Sequence, residues 1–230
     1  MPLPVMIFAA GFGTRMGALT ANCPKPLIPV AGKPLLDHAL DLAEQAGAGP
    51  VVVNTHYLAD QIATHVAPRG VALSPEPDQI LETGGGLRKA LPLLGQGPVM
   101  TLNSDAVWTG QNPLSQLAHH WDGTRMDALL LLLPAHQAKG HSGSGDFLID
   151  AEGRISRAKG APGLVYLGAQ ILRTERLHAI DREVFSLNLL WDAMIADGRA
   201  FGLVHQGRWC DVGRPEGIRQ AEDMLEADDV

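Results

Sequence analysis

Residues 5–26 read VMIFAAGFGTRMGALTANCPKP, and this stretch decides the fold. Val5–Ala9 is a short apolar run of strand type, and Gly11, Gly13 and Gly17 follow it closely. Glycines at the carboxyl end of a first parallel strand let backbone N–H groups approach phosphate oxygens that any Cβ would obstruct. Two common loops do not fit. A dinucleotide-binding fingerprint needs its glycines to open directly into a helix, and here Pro24 and Pro26 interrupt. A Walker loop needs a Gly-Lys-Ser/Thr ending that the stretch lacks. A Gly-rich strand-to-helix turn with no ligand remains compatible with the same residues. Lys25, framed by Pro24 and Pro26, is expected to sit on a stiff, extended backbone that projects a fixed positive charge. With Arg15 it could flank one polyphosphate held by the glycine amides.

The charge distribution points the same way. The 230 residues carry 18 Lys+Arg against 25 Asp+Glu, a net −7, yet residues 1–36 hold Arg15, Lys25 and Lys33 and no acid. An acidic chain without a basic stripe excludes a nucleic-acid polymer as partner but not a compact triphosphate. At 46% apolar, 19% charged and 5% aromatic the composition is globular, and one domain over residues 1–230 is expected. Apolar runs such as Ala128–Leu133 fall far short of the ~20 residues that span a bilayer. The start MPLPVMIFAAG has no basic n-region, so neither membrane span nor signal peptide is expected and the cytoplasm is the expected location. Cys23 and Cys210 have no metal or redox spacing and read as reduced thiols.

Outward from the first strand, Val/Ile/Leu runs alternate with amphipathic stretches, the pattern of parallel strands joined by helices. Helices are expected over Pro34–Ala46, Leu58–Val66 and Leu87–Leu94, and strands over Val51–Val53, Val71–Leu73 and Val99–Leu102. The second half is less regular: a strand at Ala128–Leu133, a polar His136–Gly145 segment expected to be a mobile loop, and a hairpin with Phe147–Asp150 and Ile155. A long strand Leu164–Leu172, a helix Leu187–Ala196, a strand Phe201–Val204 and a helix Glu216–Leu225 complete the reading. The fold class is α/β: a three-layer, Rossmann-like arrangement with a mixed, mostly parallel sheet and helices on both faces.

Asp105 ends an apolar strand, where a carboxylate points into the crevice in which α/β proteins bind ligands. Asp211 ends the short Arg208–Cys210 segment. Two such hard oxygen ligands together with substrate phosphates would make an open Mg²⁺ site, although either aspartate alone could be a turn or cap residue. Glu82-Thr83-Gly84-Gly85-Gly86 is expected to precede a helix, with Thr83 as its cap and the glycines against a flat ligand such as a base. His119, His120, His136 and His141 lack zinc spacing and read as surface histidines. The acidic tail, Glu222-Asp223 and Glu226–Asp229, reads as a solvated helix end.

AAGFGTRMGALTANCPKPLIPVAGKPLL resembles the signature of the sugar-1-phosphate nucleotidylyltransferases, with departures at Met16 and Ala18. The resemblance continues through Leu81–Gly86, Leu102–Asp105 and Trp209–Gly213, and so covers most of the chain. It implies transfer of a nucleotidyl group from a nucleoside triphosphate to a sugar 1-phosphate, with Arg15 and Lys25 catalytic and Asp105 and Asp211 on Mg²⁺. By the same resemblance Gly11, Phe12, Gly13, Thr14, Lys25, Asn54, Glu82 and Gly84 would contact the nucleotide, and Asn103, Gly145, Asp146 and Gly168 the sugar. Within the family, the short length and the Glu-Thr-Gly-Gly-Gly, Gly-Asp-Phe and Trp-x-Asp-Val-Gly wording are most similar to members that use UTP and N-acetylmuramate 1-phosphate in cell-wall recycling. Many hexose-specific members carry Glu-Lys-Pro where this chain has Arg157-Ala158-Lys159-Gly160, a departure that suggests a bulkier sugar. A guanylyl- or thymidylyltransferase for mannose or glucose 1-phosphate, and a non-catalytic nucleotide-sugar binder, stay open as alternatives, as does the oligomeric state. A dehydrogenase is disfavoured by the prolines after the glycine loop.

Overall fold

A computed structural model describes residues 2–228. In chain order its elements are β1 (Val5–Phe8), a 3-10 segment Thr14–Thr20, a 3-10 turn Lys25–Leu27, the two-residue strands β2 (Pro29–Val30) and β3 (Lys33–Pro34), and α1 (Leu35–Gln45). Then come β4 (Val51–Thr55), α2 (Ala59–Val66), β5 (Ala72–Pro75), α3 (Glu82–Leu94), β6 (Val99–Asn103), β7 (Ala106–Gly110) and α4 (Pro113–His120). The second half holds β8 (Ala128–Pro134), β9 (Ala138–Lys139), β10 (Phe147–Ile149), β11 (Ile155–Arg157), β12 (Leu164–Leu172), α5 (Asn188–Ala196), β13 (Ala200–Val204), β14 (Gly207–Asp211) and α6 (Pro215–Glu226).

The main sheet runs β5-β4-β1-β6-β12-β8-β13, with the β10–β11 hairpin beside the start of β12. β5, β4, β1 and β6 are parallel; β12 is antiparallel to both β6 and β8, and β13 is parallel to β8. The expected mixed, mostly parallel sheet is therefore present. Alternation along β1 sorts its side chains to two cores: Val5 and Ile7 pack with Leu36, Leu40, Ile62 and Leu114, and Met6 packs with Leu87, Leu190 and Met194 from α3 and α5. A third cluster joins Met16, Ile28 and Val30 to Val107, Cys210, Val212 and Met224, and thereby fixes the glycine-rich segment against β14 and α6. Among the described residues no helix is long and apolar enough to cross a membrane.

The structure differs from the sequence reading in several places. α3 begins at Glu82 rather than Leu87, so the three glycines lie inside the helix and are buried. Glycine usually weakens a helix interior; here close packing overrides that cost, because a Cβ on Gly84 would strike the Phe185 ring and one on Gly85 the Glu183 carbonyl. Thr83 does not cap α3. Its hydroxyl instead accepts the Leu187 N–H at 3.0 Å. Lys25 opens a 3-10 turn rather than an extended segment; Pro24 before the turn and Ile28 after it are extended. The His136–Gly145 segment is partly regular, since Ala138–Lys139 pairs in parallel with Trp209–Cys210. β7 and α4 were not anticipated, although Asn112 caps α4 by accepting from Leu114 and Ser115 N–H, with Pro113 following at the first helical position. Glu222 of the acidic tail accepts the Ala31 N–H, and Asp229 lies outside the described residues. Cys23 and Cys210 are free thiols, as expected.

Candidate active site

The carboxyl ends of β1, β4 and β6 open into a cleft of about 330 Å³, and most of the singled-out residues meet on its walls: Gly11, Gly13, Thr14, Arg15, Lys25, Asn54, Glu82, Asn103 and Asp105. The glycine segment is shaped by short-range constraints. Gly13 takes φ +65°, and a Cβ there would stand 2.8 Å from the Lys25 Cβ, so only glycine satisfies both the turn and the approach of Lys25. The Thr20 hydroxyl donates to the Gly13 and Gly17 carbonyls, and the Tyr57 hydroxyl donates to the Thr20 carbonyl at 2.8 Å, which ties the segment to the end of β4. Phe12 does not line the cleft wall; half exposed, it packs edge-on against His56 at 5.2 Å.

Lys25 is buried, and its Nζ donates to Asp105 Oδ2 at 2.7 Å. Asp211 reaches the same place through the antiparallel β7–β14 ladder, which sets it opposite Ala106, and the Val212 N–H donates to the Asp105 carbonyl at 2.8 Å. Two aspartates far apart in sequence thus stand side by side. Burial first, and then the neighbouring Asp105 charge, push the Asp211 carboxyl above its usual range, while Lys25, Arg15 and His141 pull the other way. A Cβ on Gly213 would lie 2.7 Å from Asp211 Oδ2 and 3.1 Å from an Arg15 guanidinium nitrogen, so glycine lets the Arg15 head approach this carboxylate.

Two adjacent carboxylates, all-oxygen and only two in number, suit Mg²⁺, which keeps waters and completes its shell with substrate phosphates. Among the described residues no group of three or more His, Cys, Asp or Glu could hold a metal by itself. His141 belongs to this neighbourhood although its sequence context suggested only a surface histidine. The β9–β14 pairing and Gly140, which packs against the Asp211 backbone, bring it within electrostatic range of Asp211. Nothing local in the sequence signals that placement.

The opposite wall rests on a residue that sequence reasoning missed. Glu76, just past β5, is buried; its carboxylate accepts from Asn54 Nδ2 at 2.7 Å and from the Leu81 N–H at 2.7 Å. Asn54 is itself buried and accepts the Ala9 N–H at 2.8 Å, so it links β1 to Glu76 and holds the entry to α3. The rule that singled out Asp105, a carboxylate at a strand's carboxyl end, would have found Glu76 as well. Glu82 lines the cleft in the left-handed region, φ +60°, a strained setting for a non-glycine residue. Gly84 is behind it, with its N–H donating to the Phe185 carbonyl.

On the β12 side, Gly168 (φ +84°) occupies a register shift in the strand, and a Cβ there would be 2.7 Å from Asn103 Nδ2. That pair reaches the cleft through Asn103. Gly145 and Asp146 do not line it: Gly145 backs onto Gly163, and Asp146 Oδ2 accepts the Tyr166 N–H at 2.9 Å. Of the other histidines singled out above, His119 and His120 are exposed at the end of α4, and His136 is exposed in the 3-10 turn that follows β8.

Comparison with known proteins agrees with this architecture. A family model described as a MobA-like NTP transferase domain matches residues 5–150. The chain is 40% identical over 236 residues to N-acetylmuramate alpha-1-phosphate uridylyltransferase of Caulobacter vibrioides (97% of each chain). It is 33% identical over 237 residues to the enzyme of the same name from Neisseria meningitidis serogroup B (98% of this chain, 99% of the relative). Among solved structures, HddC from Yersinia pseudotuberculosis complexed with GMP-PN superposes with a TM-score of 0.77 at 21% identity, covering 97% of this chain and 99% of that one, a likeness of fold.

Proposed function

The chain belongs to the MobA-like NTP transferase domain family, and from that premise we propose that it transfers the uridylyl group of UTP to N-acetylmuramate 1-phosphate, giving the UDP-sugar and pyrophosphate. The observation that carries the reading is the convergence of Arg15, Lys25 and Asp105 on a cleft wall shared with Gly11 and Gly13, with Asp211 beside Asp105 just behind Gly213. A phosphate oxygen of the sugar 1-phosphate forms a bond to the α-phosphorus of UTP. The bond from that phosphorus to the bridging oxygen breaks, and its electron pair leaves with pyrophosphate. Protein groups need only orient the reactants and offset charge, so no covalent intermediate is required.

Lys25, held by Asp105, would face the α-phosphate, and Arg15 the departing phosphates. Asp105 and Asp211 would hold Mg²⁺, which when bound supplies charge neutralisation and a template for the phosphates. The Asn54–Glu76 pair fixes the wall against which the base and ribose would lie, with Glu82 at its rim. Asn103 and Gly168 would begin the sugar subsite, and Gly145 and Asp146 would join it only if the 140–146 segment moves toward the cleft. With nucleotide and sugar phosphate both soluble, a cytoplasmic setting fits the reaction.

The experiment is a matrix of UTP, GTP, dTTP and ATP against the 1-phosphates of N-acetylmuramate, N-acetylglucosamine, glucose and mannose, read by pyrophosphate release. The proposal expects the UTP and N-acetylmuramate pair to dominate. Product from mannose or glucose 1-phosphate with GTP or dTTP alone would move the chain to another branch of the family. No product in any combination would favour a non-catalytic binder.

A further inference from the structure

Arg15 also lines a second hollow of about 690 Å³, together with Gly17 and Leu19 from the glycine segment and Arg214, Pro215 and Glu216 from the start of α6. Arg15 is common to both spaces, and Gly213, in the wall of the cleft, is the residue immediately before Arg214. The path along the chain is therefore short and ordered: Asp211 beside Asp105, Gly213 against the Arg15 guanidinium, then Arg214.

We propose that this hollow receives the leaving pyrophosphate, and that Arg214 is the second cation that holds it. This rests on the reading of the cleft as a nucleoside triphosphate site, and it goes beyond that reading by giving the terminal phosphate a residue outside the glycine segment. A triphosphate whose α-phosphate lies by Lys25 and Asp105 can run either toward the Asn54 wall or past Arg15. The first direction ends in the buried, already satisfied Asn54–Glu76 pair. The second ends in the open hollow.

Arg214 is exposed and stands at the N-cap of the 12-residue α6, with no side-chain cap bond of its own. Among the described residues neither Arg15 nor Arg214 has an acid within ion-pair distance, whereas Lys25 is already committed to Asp105. Two arginines that line one hollow without an acid partner can together receive phosphate oxygens, and the amino end of α6 adds partial positive charge beside them. Glu216, the acid in the same hollow, opposes them, which keeps the hold on a released product from becoming too tight.

The test is the reverse reaction, pyrophosphorolysis of the UDP-sugar in the presence of Mg²⁺. Arg214→Ala should raise KM for pyrophosphate roughly tenfold, the scale of one charge-assisted contact, and leave KM for the UDP-sugar within about twofold. Arg214→Lys should recover part of the loss as a point charge without the fork, and Glu216→Gln should lower KM for pyrophosphate. An unchanged KM for pyrophosphate in Arg214→Ala would overturn the proposal. So would a rise confined to the UDP-sugar or the sugar 1-phosphate, which would assign Arg214 to the sugar. If the wild-type chain fails to use UTP and the sugar phosphate, the functional reading falls while this one stays decidable. Calorimetric binding of Mg-pyrophosphate should still be about tenfold weaker in Arg214→Ala, and equal affinity, or no binding to the wild type, would refute it.

Discussion

Replacing Lys25 by methionine probes the site at its most constrained point. Methionine keeps most of the side-chain volume that packs against Gly13 and removes the ammonium group. The lost contact is a 2.7 Å ion pair with Asp105 whose partners are 10% and 32% exposed. At an effective dielectric constant of 20 the gross attraction at this distance is about 6 kcal/mol. Most of that is offset, because Asp105 is about one-third exposed and regains water while the lysine's own desolvation cost disappears. The net loss of stability should be about 1–2 kcal/mol, which for a chain of this length lowers Tm by roughly 2–8 °C. Turnover should fall much further, about 10²–10³-fold, since a fixed charge aimed at the reacting phosphate is lost from a prepared site. Pyrophosphate release at saturating substrates, with calorimetry of the same sample, separates the two effects. A folded Lys25→Met enzyme with kcat within about fivefold of wild type would refute the assignment of Lys25 to the α-phosphate.

Three further outcomes follow from the geometry. Gly84→Ala should destabilise the chain by about 2–3 kcal/mol, because its Cβ meets the Phe185 ring, and thermal melting reads this directly; an unchanged Tm would contradict the packing of α3 against residues 183–187. Asp211→Asn should raise Tm at pH 7 in metal-free buffer and abolish the stabilisation by Mg²⁺. Its folded-state pKa is raised, so its contribution is most favourable while protonated and is lost as pH climbs through that pKa; the difference from wild type should vanish below the carboxylate range. His205 is buried with its pKa lowered to about 4, and its Nδ1 faces the Gln116 amide donor, whose oxygen is fixed by the Gln206 N–H, so the ring is held neutral. The His205 contribution to stability should fall by up to roughly 3 kcal/mol as pH drops from about 6.5 to about 4 and be constant below, a slope that should be absent from His205→Gln when the two chains are compared in pH-dependent denaturant titrations.

What the sequence revealed divides along the range of the interactions involved. Strands buried by their own apolar runs, such as Val5–Phe8 and Leu164–Leu172, were legible because burial pattern and composition coincide there. The glycine segment was legible for a similar local reason, since a positive φ at Gly13 and a close approach by Lys25 leave one residue type. The start of α3 was not, because three consecutive glycines oppose helix by propensity and only the packing of Phe185 and Glu183 against them makes the helix possible. The meeting of Asp105 with Asp211, and the approach of His141 to Asp211, depend on the β7–β14–β9 ladder, whose strands are short and weakly patterned. Glu76 was hidden among Pro75, Pro77 and Asp78 in a stretch that reads as an exposed turn, although its carboxylate is buried and holds Asn54.

The central claim is that this cleft joins UTP to an N-acetylmuramyl phosphate. The most direct measurement is ³¹P NMR of the chain with UTP, Mg²⁺ and N-acetylmuramate 1-phosphate, followed beside an identical sample containing N-acetylglucosamine 1-phosphate. The account predicts paired diphosphate resonances of a UDP-sugar and a pyrophosphate signal in equal amounts, no UMP, and faster turnover in the muramate sample. Faster turnover with N-acetylglucosamine 1-phosphate, or accumulation of UMP without UDP-sugar, would contradict it.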